Sequence, residues 1–559
     1  MARLSLEPVT PRLVAWIGLF LLAWPSVGGA QSPPFWGDLK LGPFAVGYRS
    51  TWKLDYSRLY AMALGDRTTQ APGKVPRPIL FNVWYPATRA AGAKPMLHRD
   101  YLAISSDQPH LAKFSTQLAE YNLGVIAQEV LGKSLAELSE HEKEALQRLL
   151  DTPTACILDA TPQAGPFPLV LYHSGAGSSF EDNAVLCEFL ASHGFVVVGS
   201  AFQQQSGRSF NTDNREGSAR DLDFLIAQAA ELPFVDWQHI GLIGHSAGAQ
   251  AALRFRAQPQ CPVDAMVCLD TTQDYHSISN PLWDYPAHVL KNQARFTGPL
   301  LMVAGPGAFF ELADALRQAP RYYLTLPNLS HNDYISQGLW RRESNERLSR
   351  GEPSPAAADR LSEQSAREQA RHEYQALNSY ILLFLQATLK GEPRAQELLA
   401  KEYRTSKIGT APHVEFVPVG RTGPDAYTDA QAEPPTPRQF RALVREEGSA
   451  KAIVLLRRLR TRMAKHPISQ KQFQLAVVGD LLDQGSTEHA LAFRDYYREF
   501  GLDCGTEFLS SGNDFHRMGL SHVAAMLYRR VLLLDPSCRE AADKLREINE
   551  KGAAARPPD

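Results

Sequence analysis

No sign of charge dominates this 559-residue chain: 58 Lys and Arg stand against 60 Asp and Glu, for a formal net charge of −2, and no basic block stands out. That argues against nucleic acid as a partner, since such binders need a basic stripe to displace counterions. Cysteine is scarce, with six in the whole chain, far below the density of a disulfide scaffold. Long apolar runs are lacking too. The one near the N-terminus, Leu13 to Trp24, falls short of the ~18–20 residues that cross a bilayer, and no later segment reads as a span. Nothing calls for a metal or a cofactor. Small-molecule chemistry is the class left open.

Arg3 and Arg12 precede that apolar run, and Pro25 and the small residues Gly28-Gly29-Ala30 follow it. This is a secretory signal pattern. Residues 1–30 are expected to be removed, leaving a mature chain from Gln31 in the periplasm or outside the cell, and the absence of cysteine near the cleavage site argues against a lipoprotein. An oxidising space permits disulfides, but their connectivity cannot be read from sequence. Cys156, Cys187 and Cys268 are expected to serve as small buried apolar residues.

What is present is a nucleophile elbow. Ile240-Gly241-Leu242-Ile243-Gly244-His245-Ser246-Ala247-Gly248 runs from a β-prone stretch through a serine flanked by small residues into the helix former Ala249-Gln250-Ala251-Ala252-Leu253. A serine on a sharp strand-to-helix turn needs such neighbours, because the two backbones approach closely there. Around it, the apolar runs Ile79–Tyr85, Leu169–His173, Phe195–Ser200, His239–Ile243, Ala265–Asp270, Leu300–Ala304 and Tyr322–Leu326 alternate with helical stretches. The fold expected is an α/β-hydrolase, with a doubly wound, mostly parallel sheet over residues 31–405. Residues 94–161 interrupt it as a helical insertion, with amphipathic spacing over Leu135–Leu150; it reads as a cap over the sheet edge or as a surface excursion. Arg342–Ala370, dense in charge, reads as a solvated excursion before a closing helix over Tyr374–Leu389.

A serine hydroxyl needs an imidazole to take its proton and an acid to orient that imidazole. In this fold class both follow the serine, at carboxyl ends of later strands. His331, in the polar loop after the last expected strand, is the base. Asp270, at the end of the run Ala265–Asp270, is the favoured acid, with Glu311 and Asp274 as alternatives. The oxyanion donors expected are the N–H groups of Ala247, after the serine, and Gly175, in the loop His173-Ser174-Gly175-Ala176-Gly177. Trp283, Tyr285, Phe309 and Phe310 are candidates for lining the pocket.

In these landmarks the chain resembles the plasma-type platelet-activating-factor acetylhydrolases and their bacterial, dienelactone-hydrolase-like relatives. The likeness is carried by Gly42-Pro43-Phe44-Ala45-Val46-Gly47-Tyr48-Arg49, Val83-Trp84-Tyr85-Pro86, the His173 loop, Ala191-Ser192-His193-Gly194-Phe195, Gly244–Gly248 and Leu269-Asp270. It implies a Ser-Asp-His triad with the acid on the earlier strand, in agreement with Asp270. The chain departs from that pattern at Ser174, where the family has glycine, and in its insertion and its C-terminal part.

Residues 406–435 are rich in Pro, Gly, Thr and Ala and read as a linker to a second, all-α domain over 436–559. Gly512, Phe515, Ala524, Tyr528 and Pro536 sit where a tetratricopeptide repeat places its landmarks, and Ala490 holds the small-residue position of a more degenerate repeat before it. Cys504 and Cys538 then fall at equivalent places in stacked helices, ~8–10 Å apart, beyond disulfide reach. Such repeats suggest a protein partner, or they pack on the hydrolase domain. The function expected is a secreted serine esterase acting on a small-molecule or lipid ester: short-chain acyl lipids, aromatic esters or polyesters. A peptidase or acyltransferase on the same fold, or an inactive scaffold, is the alternative. Because every triad candidate precedes the linker, a chain ending near Ala400 is expected to keep its chemistry.

Overall fold

In the computed structural model the residues described are 32–61, 74–90, 92–202, 215–275, 278, 285–308, 310–341, 357–405, 413–421, 434–459, 467–469, 471–517 and 521–554. The expected signal segment lies outside them. Among the described residues there are ten strands: β1 Ala45–Ala61, β2 Lys74–Ala87, β3 Cys156–Leu158, β4 Phe167–His173, β5 Val196–Gly199, β6 Val235–His245, β7 Ala265–Leu269, β8 Leu300–Ala304, β9 Arg321–Thr325 and β10 His413–Val417. The helices are α1 Pro109–Leu131, α2 Glu140–Leu150, α3 Ala184–Ser192, α4 Arg215–Ala230, α5 Ala247–Arg256, α6 Tyr285–Lys291, α7 Glu311–Ala315, α8 Ala357–Thr388, α9 Pro393–Thr405, α10 Pro437–Leu459, α11 Lys471–Asp483, α12 Thr487–Arg498, α13 Cys504–Arg517, α14 Ser521–Leu534 and α15 Arg539–Ala554. Among the described residues no helix is long and apolar enough to cross a membrane.

The chain forms two compact units. The first comprises residues 1–269, 298–301 and 328–405, and its strands run in the order β8-β7-β6-β4-β5-β2-β1-β3, with β8 contributing Leu300 and Leu301. The pairs β4–β5, β4–β6 and β6–β7 are parallel, while β1–β2 and β2–β5 are antiparallel. The central strands bury both faces: every residue of β5 and β7, and all but Phe167 of β4, is buried. Continuous Val, Leu and Ile runs are what a parallel sheet covered on both sides requires. A buried network of Arg58 and Arg77 on Asp221, at 2.7 and 2.5 Å, fastens β1 and β2 to α4.

Within this unit the 94–161 insertion holds more helix than its amphipathic spacing suggests. The long α1 precedes α2, and α2 begins at a capping box in which Ser139 accepts from the Glu142 N–H while Glu142 accepts from the Ser139 N–H. The excursion expected over Arg342–Ala370 is helical from Ala357 onward, since α8 begins there.

The second unit comprises residues 270–297, 302–327 and 406–559. Met302–Ala304 of β8 lies beside β9, and β9 beside β10, in antiparallel register. His413–Val417 therefore form a strand inside the stretch that the sequence presents as a linker. Helices α10 to α15 share one apolar core that includes Phe440, Phe473, Phe493, Tyr497 and Tyr528. In it α13 meets α14 at Gly512, where an added Cβ would stand 2.8 Å from the Tyr528 ring, and Ala490 and Ala524 are fully buried. Small residues at these points let the helices approach closely. None of the six cysteines, all of which are among the described residues, forms a disulfide.

Candidate active site

Ser246 separates β6 from α5 and carries φ 53 and ψ −120. This positive-φ conformation is strained for a residue with a Cβ and is the backbone geometry expected of a sharp strand-to-helix turn. Its neighbours explain the small residues around it. A Cβ on Gly244 would stand 2.6 Å from Ala249 Cα, and one on Gly248 would stand 2.4 Å from the carbonyl oxygens of His173 and Ser174. The Ser246 N–H donates to the Leu269 carbonyl at 2.9 Å, which ties the elbow to the end of β7.

Opposite the hydroxyl is His331, whose Nε2 is 3.0 Å from Ser246 Oγ. It opens the 3₁₀ turn His331–Tyr334, in which Asp333 accepts from both the N–H and the hydroxyl of Ser330. His245 is buried beside it: its Nε2 lies 3.1 Å from the His331 carbonyl oxygen, and the two rings are 5.0 Å apart. The imidazole that faces the serine is exposed.

Gly175 lies against the same serine. A Cβ there would stand 3.0 Å from His245 Nδ1 and 3.3 Å from Ser246 Cβ, so this loop passes Ser246 with room for glycine and little more. His173, at its base, is stacked on Phe202 at 3.6 Å, and burial pushes its imidazole down to about 4. A neutral buried ring suits a structural role. Ala247 is the first residue of α5, next to the nucleophile.

Four of the five candidate residues, Ser246, His331, Gly175 and Ala247, thus come together in the first unit. Asp270 belongs to the second unit, one residue past β7. It is buried, with φ 42; its N–H donates to the Val303 carbonyl at 2.7 Å, and its Oδ1 accepts from the Tyr275 hydroxyl at 2.5 Å. Tyr275 accepts in turn from the Gly305 N–H at 2.9 Å. Asp274 is also buried, which pushes its carboxyl well up, with the nearby Asp270 adding to the shift. Glu311 accepts the Ile278 N–H at 3.1 Å.

Of the aromatic residues expected at a pocket, Trp283 and Phe309 lie outside the described residues. Tyr285 and Phe310 are buried, the first donating to Gln273 and the second 5.0 Å from the Tyr323 ring. These two are core residues and present no open face to a substrate. Sequence reasoning misses Tyr121 and Glu129 on α1, which reach the two loops flanking Ser246: Tyr121 donates to the Gly177 carbonyl at 3.3 Å, and Glu129 accepts from Asn332 at 2.5 Å. The described residues hold no cluster of His, Cys, Asp and Glu able to bind a metal.

No protein family and no curated protein matches this chain. Among solved structures it is similar to a ferulic acid esterase from Streptomyces cinnamoneus, at 18% identity and a TM-score of 0.39, over 63% of this chain and 92% of that one. The functional reading therefore rests on the geometry around Ser246.

Proposed function

We propose that this protein is a serine hydrolase that cleaves carboxylic esters through an acyl-enzyme. The observation that carries the reading is His331 Nε2 at 3.0 Å from the hydroxyl of a serine held at φ 53 on a strand-to-helix turn. In this mechanism His331 takes the Ser246 proton as Oγ attacks the ester carbonyl, and the N–H groups of Gly175 and Ala247 receive the oxyanion. His331 then gives the proton to the departing alkoxide, and a water repeats the sequence to release the acid. Asp270 is the acid that orients His331 and stabilises its protonated form; its burial and its fixed carboxylate suit that role.

The resemblance to platelet-activating-factor acetylhydrolases supports short acyl chains as substrates. The signal pattern supports export with maturation at Gln31, and the helical repeats support a protein partner. The test is a series of p-nitrophenyl esters of increasing acyl length. Hydrolysis that is greatest for short chains and abolished in Ser246→Ala is the expected result; no hydrolysis at any length, or equal rates in Ser246→Ala, would refute the reading.

A further inference from the structure

Glu129 takes no part in proton transfer between Ser246 and His331, yet it is hydrogen-bonded to Asn332, the residue that follows the histidine in its turn. It lies in the last turn of α1, half-buried, and its carboxylate accepts from Asn332 Nδ2 at 2.5 Å. Two turns earlier on the same helix, Tyr121 donates to the carbonyl of Gly177, in the loop whose Gly175 passes Ser246. One helix of the insertion is therefore hydrogen-bonded to both the loop that carries Gly175 and the turn that carries His331. The His331 turn needs such a hold, because its imidazole is exposed and a misplacement of about 1 Å at a reacting group can cost on the order of 100-fold in rate.

We propose that α1 is a brace for the active site and that Glu129 is a positioning residue: through Asn332 it holds the His331 turn at the distance from which Nε2 reaches Ser246. The inference rests on the serine-hydrolase reading and deepens it, since it gives the 94–161 insertion a catalytic task beyond covering the sheet edge. The surroundings of the carboxylate fit. Burial raises its pKa while the charges of Arg341 and His331 lower it, and Asp182 is the acidic neighbour.

The test is a double-mutant cycle on Glu129→Ala and Asn332→Ala, with Glu129→Gln as the conservative variant, read as kcat, KM and melting temperature on a short p-nitrophenyl ester. Each alanine variant is expected to lose about tenfold or more in kcat with KM and melting temperature little changed. The double variant should be no worse than either single one, because both remove the same contact. Glu129→Gln should recover most of the loss, since its amide oxygen can accept the same hydrogen bond. Losses that multiply in the double variant, losses that follow the melting temperature, or an unchanged kcat in Glu129→Ala with wild type active would overturn the brace alone. A wild type inert toward every ester would overturn the brace and the hydrolase reading together.

Discussion

Ser246 is held in a backbone conformation that its own Cβ disfavours, and the glycines around it are there because contacts on both sides leave no room for more. Gly248→Ala would press a methyl into the carbonyls of His173 and Ser174, forcing the His173–Gly175 loop away from Ser246. The expected result is a destabilisation of about 1–3 kcal/mol with loss of ester turnover, measured by denaturant melts and initial rates. The acid makes a second test at this scale. Asp270→Asn should lower kcat by about 10⁴-fold with the fold intact, whereas Glu311→Gln should change it less than about tenfold. The reverse pattern would move the acid to the next strand.

Glu181 carries a third. Buried in the loop after Gly177, its carboxyl is pushed up to about 7 by burial. A folded pKa above the unfolded one means stability that is present below about pH 4.5 and lost as pH rises through about 7. Glu181→Gln should therefore melt several degrees higher than wild type at pH 8 and nearly level with it at pH 4.5. An equal difference at both pH values would contradict the assignment.

At the scale of elements, the sheet's buried strands are legible in the sequence because parallel strands covered on both faces are continuous apolar runs. β4, β6, β7, β8 and β9 fall where such runs lie. The outer strands are harder to see. β1 carries Lys53, Asp55 and Arg58 within its length, and β10 has five residues in a Pro- and Gly-rich stretch, so neither shows an unbroken apolar signature. The site divides the same way. The elbow is local, so its glycines announce it, and His331 follows from its place after the last strand of the run. Glu129 does not, because its partner is 203 positions away and only the folded insertion joins them. Tyr285 and Phe310 mislead for a related reason: aromatic type alone does not tell a pocket wall from a core.

An element-scale prediction follows from Arg438 on α10, which is buried and pairs with the half-buried Asp314 of α7 and Glu415 of β10, the latter at 2.8 Å. Its guanidinium also lies 3.9 Å from the centre of the Tyr323 ring. Removing one partner of a buried ion pair leaves an uncompensated charge. Arg438→Ala should destabilise the second unit by about 3–5 kcal/mol in chemical denaturation; a change under about 1 kcal/mol would show that the clamp is dispensable.

At the scale of the whole molecule, the boundaries read from composition and the compact units differ. The sequence places every triad candidate before a linker and so suggests that the C-terminal helices can be removed. In the structure Asp270 shares a unit with those helices, and the expected linker supplies β10. A chain ending at Thr405 would leave β9 without β10 and Asp314 without Arg438. It is expected to lose its cooperative melt and its ester turnover; retention of both would restore the simpler division.

Whether Ser246 is a nucleophile activated by His331 is decided by treating the intact protein with a fluorophosphonate and mapping the adduct by mass spectrometry. One adduct per chain is expected, located on Ser246, formed in parallel with the loss of ester hydrolysis and strongly slowed in His331→Ala. Hydrolysis that survives full modification of Ser246, or labelling that settles on another residue, would contradict it.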